Sequence, residues 1–375
     1  VQALPFPVLS ARGPGDGASA SSPTEACSTG AAPEAFSTGA PAQAFSAGTS
    51  GGAGGSLLGH LSAVLGEPVV AAIGVRPPDP NRKPTLQLFG ADGLPRGYAK
   101  VGWNRATRAL VRAESRALRG LPARPGAGYP LTPEPLYAGE WAGQEIAVTA
   151  PLPAEVRRLS DPDRPRLEAM LAVARRGGPA GERVPLTSFL QRVRAETDEI
   201  SDPHGTAIRA AVAALGARSA GVSVELGDWH GDWVPWNLGE VSTSGAASPG
   251  RAASSEGAAS SEGAASPEGA DGVRLVAWDW EHSGAGVPVG FDLAHQAFNT
   301  ALVVGGRTAA AAATAAVEAL RRHGAALGLA PAAAEPVADA YLIEMWLRTH
   351  RLAAGGAGWN PDLHPALLEV LATRS

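Results

Sequence analysis

The segment Trp229-His230-Gly231-Asp232-Trp233-Val234-Pro235-Trp236-Asn237 carries a carboxylate and an amide five residues apart. A site for phosphoryl transfer needs a carboxylate that accepts the proton of the attacking hydroxyl. It also needs oxygen ligands for Mg²⁺, which carboxylate and amide side chains provide. Asp232 and Asn237, on a loop that leaves a short predicted strand, meet both requirements.

A second carboxylate follows the apolar run Leu275-Val276-Ala277, which predicts a buried strand ending at Asp279. Asn237 and Asp279 are 42 residues apart, but about thirty of the residues between them repeat Ser-Glu-Gly-Ala-Ala-Ser without a large apolar side chain. Such a patch cannot form a core and predicts a surface insertion, and long surface loops add little closure entropy. The strands on either side therefore predict a tight hairpin that brings Asn237 and Asp279 to the same edge.

Upstream, Lys100 lies in a predicted strand and is one of only two lysines in the chain. In the helix predicted at 105–120, Glu114 shares the apolar side with Leu110 and Leu118, whereas the arginines lie opposite. A buried carboxylate without a partner is costly, so we expect Lys100 to pair with Glu114. Such a pair holds a lysine so that it reaches nucleotide phosphates.

In order and spacing, Lys100, Glu114, His230-Gly231-Asp232 with Asn237, and Asp279-Trp280-Glu281 resemble the aminoglycoside phosphotransferase and choline kinase-like family of small-molecule kinases. The run Gly290-Phe291-Asp292-Leu293-Ala294 is similar to the segment that follows the metal-binding aspartate in that family. The resemblance covers roughly residues 60–370. One departure is that no Gly-x-Gly-x-x-Gly pattern lies between the first two predicted strands.

The resemblance implies an α+β, bilobal, protein-kinase-like fold and an enzyme that transfers a phosphoryl group from ATP or GTP to a substrate hydroxyl. It implies that Asp232 is the catalytic base and that Asn237 and Asp279 are the Mg²⁺ ligands. It also implies that Lys100 binds the α- and β-phosphates and that Glu114 orients this lysine.

The chain divides into three predicted parts. Residues 1–55 are a low-complexity leader that we expect to be disordered, since they lack core-forming side chains. Residues 56–150 form a small β-rich, nucleotide-binding lobe, and residues 151–375 form a larger helical lobe with a disordered insertion at 242–271. Strands are predicted at 69–75, 85–89, 96–103, 136–138, 145–149, 222–226, 237–241 and 273–280. Helices are predicted at 105–120, 163–177, 185–200, 204–217, 291–304, 308–328, 331–354 and 362–373.

Composition excludes several classes. A single cysteine excludes a disulfide framework and a cysteine-based zinc site. The net charge of −5 argues against a nucleic-acid binder that works through bulk charge. Apolar runs are shorter than the ~18 residues that span a bilayer, and a secretory signal is not recognisable. We therefore expect a cytoplasmic protein without membrane or nucleic-acid partners.

Three alternatives stay open at this point. A protein kinase needs a long segment after the metal-binding aspartate to dock a peptide, and only twelve residues separate Asp279 from Asp292. A non-catalytic pseudokinase-type binding module is disfavoured because the catalytic positions are filled. A metal-dependent hydrolase built on His230, Asp232, His282 and His295 leaves Lys100 and Glu114 unexplained.

The acceptor is not defined by the sequence: aminoglycosides, other antibiotics, sugars, amino alcohols and hydroxy amino acids all remain candidates. Trp233 and Trp236 flank the Asp232 loop and are expected near the mouth of the site. Acidic residues on the late helices favour an amine-bearing substrate; these are Glu335, Asp339 and Glu344. Structural roles are expected for three other residues: His230 bonding the loop backbone, Glu281 at the surface or bracing a loop, and Asp292 capping or bracing its helix.

Overall fold

The computed structural model of this protein describes residues 55–74, 82–121, 128–242, 272–356 and 363–374. The predicted leader and insertion therefore lie outside the described residues, apart from Gly55 and Ser242. Residues Ser56–Ser375 form one compact unit.

The first part is an antiparallel sheet with two helices. Helix α1 (Leu57–Leu65) precedes strands β1 (Val70–Ile73), β2 (Thr85–Phe89) and β3 (Pro95–Gly102), and helix α2 (Arg105–Arg119) precedes β4 (Pro135–Trp141) and β5 (Gln144–Thr149). The strand order is β1-β2-β3-β5-β4. Strand β3 lies in the middle, which places Lys100 on a strand that is paired on both sides.

Local sequence explains why α2 begins where it does. The Asn104 side chain accepts a hydrogen bond from the Thr107 backbone at 2.7 Å, and Thr107 accepts one from the Asn104 backbone at 3.0 Å, so the two residues form a capping box. The apolar side of α2 faces inward: Leu110 and Leu118 are buried, and Glu114 is buried between them. The predicted helix and its buried glutamate are confirmed.

The second part is mostly helical. Its elements in chain order are β6 (Arg157–Arg158), α3 (Leu167–Ala174), β7 (Arg183–Pro185), α4 (Leu186–Asp198), α5 (Pro203–Arg218), β8 (Ser223–Trp229), β9 (Leu238–Ser242), β10 (Val273–Ala277), β11 (Gly284–Pro288), α6 (Phe291–Asn299), α7 (Ala309–His323), α8 (Ala334–Ala354) and α9 (Leu363–Thr373). Helix α8 is buried along most of its length and, with Tyr341 and Trp346, forms the centre of the main core.

Two small sheets position the candidate catalytic segments. One has the order β10-β9-β6 and the other β11-β8-β7. Strands β9 and β10 pair antiparallel with Ser242 opposite Val273 and Leu238 opposite Ala277. The predicted hairpin across the insertion is therefore confirmed, and its open end places the residues just before β9 beside those just after β10.

Several predicted boundaries differ from the structure. Helix α1 and strand β11 were not predicted, since α1 is one short helix at the edge of low-complexity sequence and β11 contains two glycines. The helix predicted at 291–304 becomes a π-helical turn at Thr300–Val304. The helix predicted at 308–328 ends at His323, where Gly324 begins a 3₁₀ turn. Glycine and tertiary packing override helical periodicity at these ends.

The predicted α+β fold class is confirmed, because a β-rich part with the α2 helix precedes a larger helical part. The predicted boundary at residue 150 falls directly after β5, and the assignment of separate functions to the two parts stays a prediction. Among the described residues, no helix combines the length and hydropathy required to cross a membrane.

Candidate active site

Lys100 is the centre of the first cluster of charged side chains. Its Nζ donates to both carboxylate oxygens of Glu114 at 2.7 Å and to Oδ1 of Asp279 at 2.6 Å. Strand β3 supplies the lysine, α2 the glutamate, and the turn after β10 the aspartate. Burial alone would lower the pKa of Lys100, but the charges of Asp279 and Glu114 outweigh it and raise this pKa. The lysine is therefore a fixed cation, and the predicted Lys100–Glu114 pair is present.

Asp279 adopts a left-handed backbone conformation with φ 68°. Non-glycine residues rarely occupy this region, and such strain is concentrated at functional sites. Burial raises the pKa of Asp279, but Lys100 and Lys83 more than offset it and lower the pKa to about 2. The carboxylate is thus ionised at neutral pH and faces the lysines.

Three carboxylates of this cluster have the composition of a hard-cation site. Oxygens of Glu114, Asp279 and Glu281 all lie within 4.8 Å of one another. Oxygen ligands of this kind suit Mg²⁺, and Oε2 of Glu281 is buried without a hydrogen bond in the structure. The donor set therefore fits a divalent cation, and Lys100 contacts two of the three carboxylates.

Glu281 is not at the surface, so that part of its predicted role is wrong. It is 8 % exposed, and its Oε1 accepts a hydrogen bond from Nζ of Lys83 at 2.7 Å. Burial, together with the nearby charge of Asp279, raises the pKa of Glu281 to about 7. Both lysines of the chain thus converge on the acidic cluster. Lys83 was missed because its loop has no recognisable motif; its rarity in an arginine-rich chain was the only signal.

Asp232 is the centre of the second cluster. Its Oδ1 is 3.0 Å from Nε2 of His295, and its Oδ2 accepts a hydrogen bond from Nδ2 of Asn237 at 2.8 Å. Burial raises the pKa of Asp232, but the hydrogen bond from His295 and the charge of Arg348 dominate and hold this pKa far below its ordinary value. The side chain is therefore an ionised acceptor, fixed at both oxygens.

The Asp232 loop is held by hydrogen bonds to Asp292 and from the ring of His230. Asp292, near the start of α6, accepts hydrogen bonds from the backbone of His230 at 2.9 Å and Gly231 at 3.1 Å. The His230 ring contacts the carbonyl of Trp278 at 3.0 Å, which confirms its predicted structural role. Asp292 therefore braces this loop rather than capping its own helix. Gly231 has φ +80°, and a Cβ there would collide with the carbonyl of His282.

His295 joins Asp232 to the core of the helical part. Its Nδ1 lies 3.0 Å from the hydroxyl of Tyr341 on α8, while its Nε2 faces Asp232. Burial lowers the pKa of His295. A carboxylate can only accept, so Asp232 favours the tautomer with hydrogen at Nε2, and the side-chain amide of Asn299 lies 2.8 Å from the same nitrogen. The chain Tyr341–His295–Asp232 was not predicted. The signal in the sequence was a histidine one helical turn after Asp292 within an otherwise apolar stretch.

The two clusters interact through their charges, since the charge of Asp232 acts on Asp279. The charges of both Asp232 and Asp279 act on the buried ring of His230, which lies between their segments. The backbone of Trp278, next to Asp279, also donates to the carbonyl of Asn237 at 3.1 Å. All five predicted site residues are therefore brought into one region, although their catalytic and ligand roles remain predictions.

Of the two tryptophans expected near the mouth of the site, Trp233 is fully buried and cannot line it. Trp236 is half-buried, and its expected place stays a prediction. The three acidic residues of the late helices are engaged by arginines: Glu335 by Arg321, Asp339 by Arg218 and Arg374, and Glu344 by Arg351. Each of the three carboxylates is therefore already paired with at least one arginine, which weakens the argument for an amine-bearing substrate.

No histidine-based metal cluster occurs among the described residues, since the group with metal-ligand spacing contains only Glu114, Asp279 and Glu281. His295 is instead bonded to Asp232 and Tyr341, and His230 to a backbone carbonyl. These contacts remove the basis for the hydrolase alternative.

Comparison with known proteins gives structural similarity only. Neither a protein-family model nor a curated protein matches the sequence. A protein described as a fructosamine-3-kinase from Haemophilus somnus is 12% identical, with a TM-score of 0.47 over 85% of this chain and 96% of its own. A choline/ethanolamine kinase family protein from Mesorhizobium loti is 15% identical, with a TM-score of 0.40 over 82% and 87%.

An aminoglycoside phosphotransferase from Alicyclobacillus acidocaldarius is 14% identical, with a TM-score of 0.33 over 81% of this chain and 89% of its own. All three descriptions name kinases or phosphotransferases.

Proposed function

We propose that this protein is a small-molecule kinase that transfers the γ-phosphoryl group of ATP or GTP to a hydroxyl of its substrate. One observation carries the proposal. A lysine held by a helix glutamate and a carboxylate at a strand end faces a second carboxylate that is bonded to an asparagine. Phosphoryl transfer depends mainly on positioning and on charge stabilisation, and this arrangement supplies both.

Lys100 is the proposed contact for the α- and β-phosphates. It is rigid because Glu114 binds it through both carboxylate oxygens. Its third bond, to Asp279, is the one that a phosphate oxygen would replace. Lys83, paired with Glu281 next to this cluster, adds a second positive charge on the same side.

Asp279, with Asn237, is the proposed magnesium-binding pair, and the carboxylates of Glu114 and Glu281 are close enough to contribute. Mg²⁺ bound there would supply positive charge to the phosphate oxygens during transfer. The nearby lysines keep Asp279 ionised before any cation arrives.

Asp232 is the proposed acceptor of the substrate's proton. In the reaction, the substrate oxygen bonds to the γ-phosphorus, the bond from that phosphorus to the bridging oxygen breaks, and the hydroxyl proton passes to Asp232. The low pKa of Asp232 keeps it ionised, so its first contribution is to orient the hydroxyl. The bonds from His295 and Asn237 fix the direction in which its remaining lone pairs point.

The acceptor is proposed to be a small molecule because the segment after Asp279 has no room for a peptide platform. A 3₁₀ turn occupies Trp280–His282, and β11 then pairs with β8. Helix α6 begins at Phe291, three residues after β11 ends. The 3₁₀ turn, β11 and the first residue of α6 thus take up nine of the twelve residues between Asp279 and Asp292.

The test is release of ADP or GDP from Mg²⁺-nucleotide in the presence of a panel of sugars, amino alcohols, hydroxy amino acids and aminoglycosides. We expect at least one hydroxylated compound to stimulate release in the wild-type chain and in Asp163→Asn, which removes an exposed carboxylate outside the site. Asp232→Asn is expected to lose the stimulation. Phosphorylation of a generic protein substrate with no response to any small compound would favour the protein kinase instead. Nucleotide binding without transfer to any acceptor would favour the pseudokinase-type module.

A further inference from the structure

A cavity of about 240 Å³ lies beside α2, away from the clusters described above. Its walls come from the second half of α2, from Tyr129, from the end of α3, and from β8 and the segment after Asp279. None of Lys100, Glu114, Asp232, Asn237 and Asp279 lines it. The proposed phosphoryl transfer therefore does not account for this space.

One side of the cavity is aromatic. The rings of Tyr129 and Trp280 are parallel, with an interplanar angle of 7° and centroids 6.4 Å apart. Trp229 and Val173 add further apolar surface. An apolar cavity of about 150 Å³ is large enough to hold a benzene ring, so this one accommodates a ring that bears a short substituent.

Two side chains in the same walls carry hydrogen-bond donors, the hydroxyl of Tyr129 and the indole nitrogen of Trp229. Tyr129 is 6% exposed and Trp229 5% exposed, so both are buried over more than nine-tenths of their surface. The Trp229 nitrogen lies next to Gly284, another lining residue, where an added Cβ would be 3.1 Å away. Within the part of the chain that the structure describes, neither side chain has a hydrogen-bond partner. Both donors are therefore available to a ligand in the cavity that accepts hydrogen bonds.

The charge of the walls is positive. Arg116 and Arg176 line the cavity together with a single carboxylate, Asp228. Arg176 and Asp228 pair with each other, which leaves the guanidinium of Arg116 as the excess charge. Burial, followed by the charge of Asp228, raises the pKa of Tyr129, so its hydroxyl stays a donor at neutral pH.

From the ring-lined wall, the unpaired donors and the excess positive charge, we propose that this cavity is an accessory binding site for a small aromatic anion. The ring of the ligand contacts the aromatic wall, and its anionic group accepts hydrogen bonds from the lining donors and is attracted by Arg116. The proposal does not depend on the proposed kinase activity. The site is nevertheless adjacent to it, since the lining residues Ala113 and Trp280 are the direct neighbours of Glu114 and Asp279.

The test is calorimetric titration of the full chain, without nucleotide, with benzoate and with indole-3-acetate. The matched neutral probes are benzamide and indole-3-acetamide, which keep the ring and remove the charge. We expect at least one anion to bind with a dissociation constant below about 1 mM and its amide to bind about tenfold more weakly. Failure of both anions to bind at millimolar concentration, or equal binding of acid and amide, would overturn the proposal.

Two variants place the binding in this cavity. Arg116→Gln removes the excess charge and is expected to weaken the anion about tenfold, whereas Arg119→Gln removes the same charge from the same helix outside the cavity and is expected to change nothing. Ala117→Leu fills the space without changing charge and is expected to abolish binding. Circular dichroism checks that each variant is folded. Unchanged affinity in both Arg116→Gln and Ala117→Leu would show that the anion binds elsewhere.

Discussion

At the scale of single residues, the properties of the site come from charges that are buried with their partners. Lys100 contacts two carboxylates, and Asp232 is bonded at both of its oxygens. The sequence predicted Lys100, Glu114, Asp232, Asn237 and Asp279, because each stands at a strand end, on an apolar helix face or in a short motif. Lys83 and His295 were missed because their partners are 198 and 63 residues away, and no local pattern reports such contacts.

Replacement of Lys100 by Met is expected to weaken Mg²⁺-nucleotide binding and to lower turnover. It also leaves Glu114 buried without a cation, and breaking a buried pair costs about 3–5 kcal/mol. Thermal unfolding combined with nucleotide titration separates the two effects in the double variant Lys100→Met/Glu114→Gln. We expect the double variant to regain stability but not nucleotide affinity.

Lys100→Arg serves as the second control. A planar guanidinium does not reproduce the compact ammonium that fits between two carboxylates, so we expect no rescue of turnover. Unchanged nucleotide affinity in Lys100→Met would show that the nucleotide binds elsewhere.

His295 is expected to be a positioning residue that acts through Asp232. Replacement by Phe removes the hydrogen bond to Oδ1 of Asp232 and is expected to lower kcat by about 10²-fold, within the range for a misplaced acid–base group. The KM for nucleotide should change little, because His295 does not contact the Lys100 cluster. His295→Gln retains a donor and should recover part of kcat. Equal losses in both variants, or a rise only in KM, would argue against this role.

At the scale of elements, the strand pairs β9–β10 and β8–β11 and the capped helix α2 position the site residues. The hairpin of β9 and β10 was predictable because the low-complexity insertion lacks large apolar residues, whereas the segments on either side of it have apolar strand patterns. Strand β11 was not predicted, because its sequence Gly-Ala-Gly-Val-Pro has few strand-forming residues. Its pairing with β8 is therefore a tertiary effect, and propensity alone gives no signal for it.

Shortening the insertion is expected to leave the site intact. Ser242 and Val273 are cross-strand partners, so a short Gly-Ser linker in place of residues 243–271 only needs to close a hairpin. The shorter loop should raise the free energy of unfolding by up to about 2 kcal/mol through reduced closure entropy. Thermal unfolding and turnover are the measurements. A Gly-Ser linker of the original length controls for sequence, and loss of turnover with both linkers would show that the insertion contributes to the site.

Strand β8 carries a carboxylate that links stability to pH. Glu225 is buried and accepts hydrogen bonds from Arg175 at 2.9 and 2.8 Å and from the Gly181 backbone at 2.8 Å. The bond from Arg175 is the largest reason why the pKa of Glu225 lies below its ordinary value. A lowered pKa in the folded state means that the stabilisation is complete above the unfolded-state pKa and is lost as pH falls through the folded-state pKa.

Glu225→Gln is therefore expected to destabilise the protein at neutral pH by about 1–3 kcal/mol and to reduce its loss of stability on acidification. Urea unfolding between neutral and acidic pH measures both effects. Glu182→Gln, which changes an exposed carboxylate next to Gly181, should leave both unchanged. An undiminished acid dependence in Glu225→Gln would contradict the assignment.

At the scale of the whole molecule, the β-rich part and the helical part meet at their charged groups. Lys100 and Lys83 belong to the first part, and their partners Asp279 and Glu281 belong to the second. The overall order of a small sheet followed by helices was predictable from the change in hydrophobic period near residue 150. The acceptor was not, because the late acidic residues that suggested an amine are neutralised by arginines distant in sequence.

The most direct measurement follows the γ-phosphoryl group itself. The protein is incubated with Mg²⁺ and a nucleotide labelled in the γ-phosphoryl group, together with the acceptor that most strongly stimulates nucleotide cleavage, and the products are analysed by mass spectrometry. We expect the label to be bonded to the acceptor hydroxyl in proportion to the ADP or GDP formed. We also expect Asp232→Asn to slow this transfer by about 10²–10⁴-fold without loss of nucleotide binding. Label found only in inorganic phosphate or on protein, or transfer at the wild-type rate in Asp232→Asn, would contradict the proposed phosphoryl transfer.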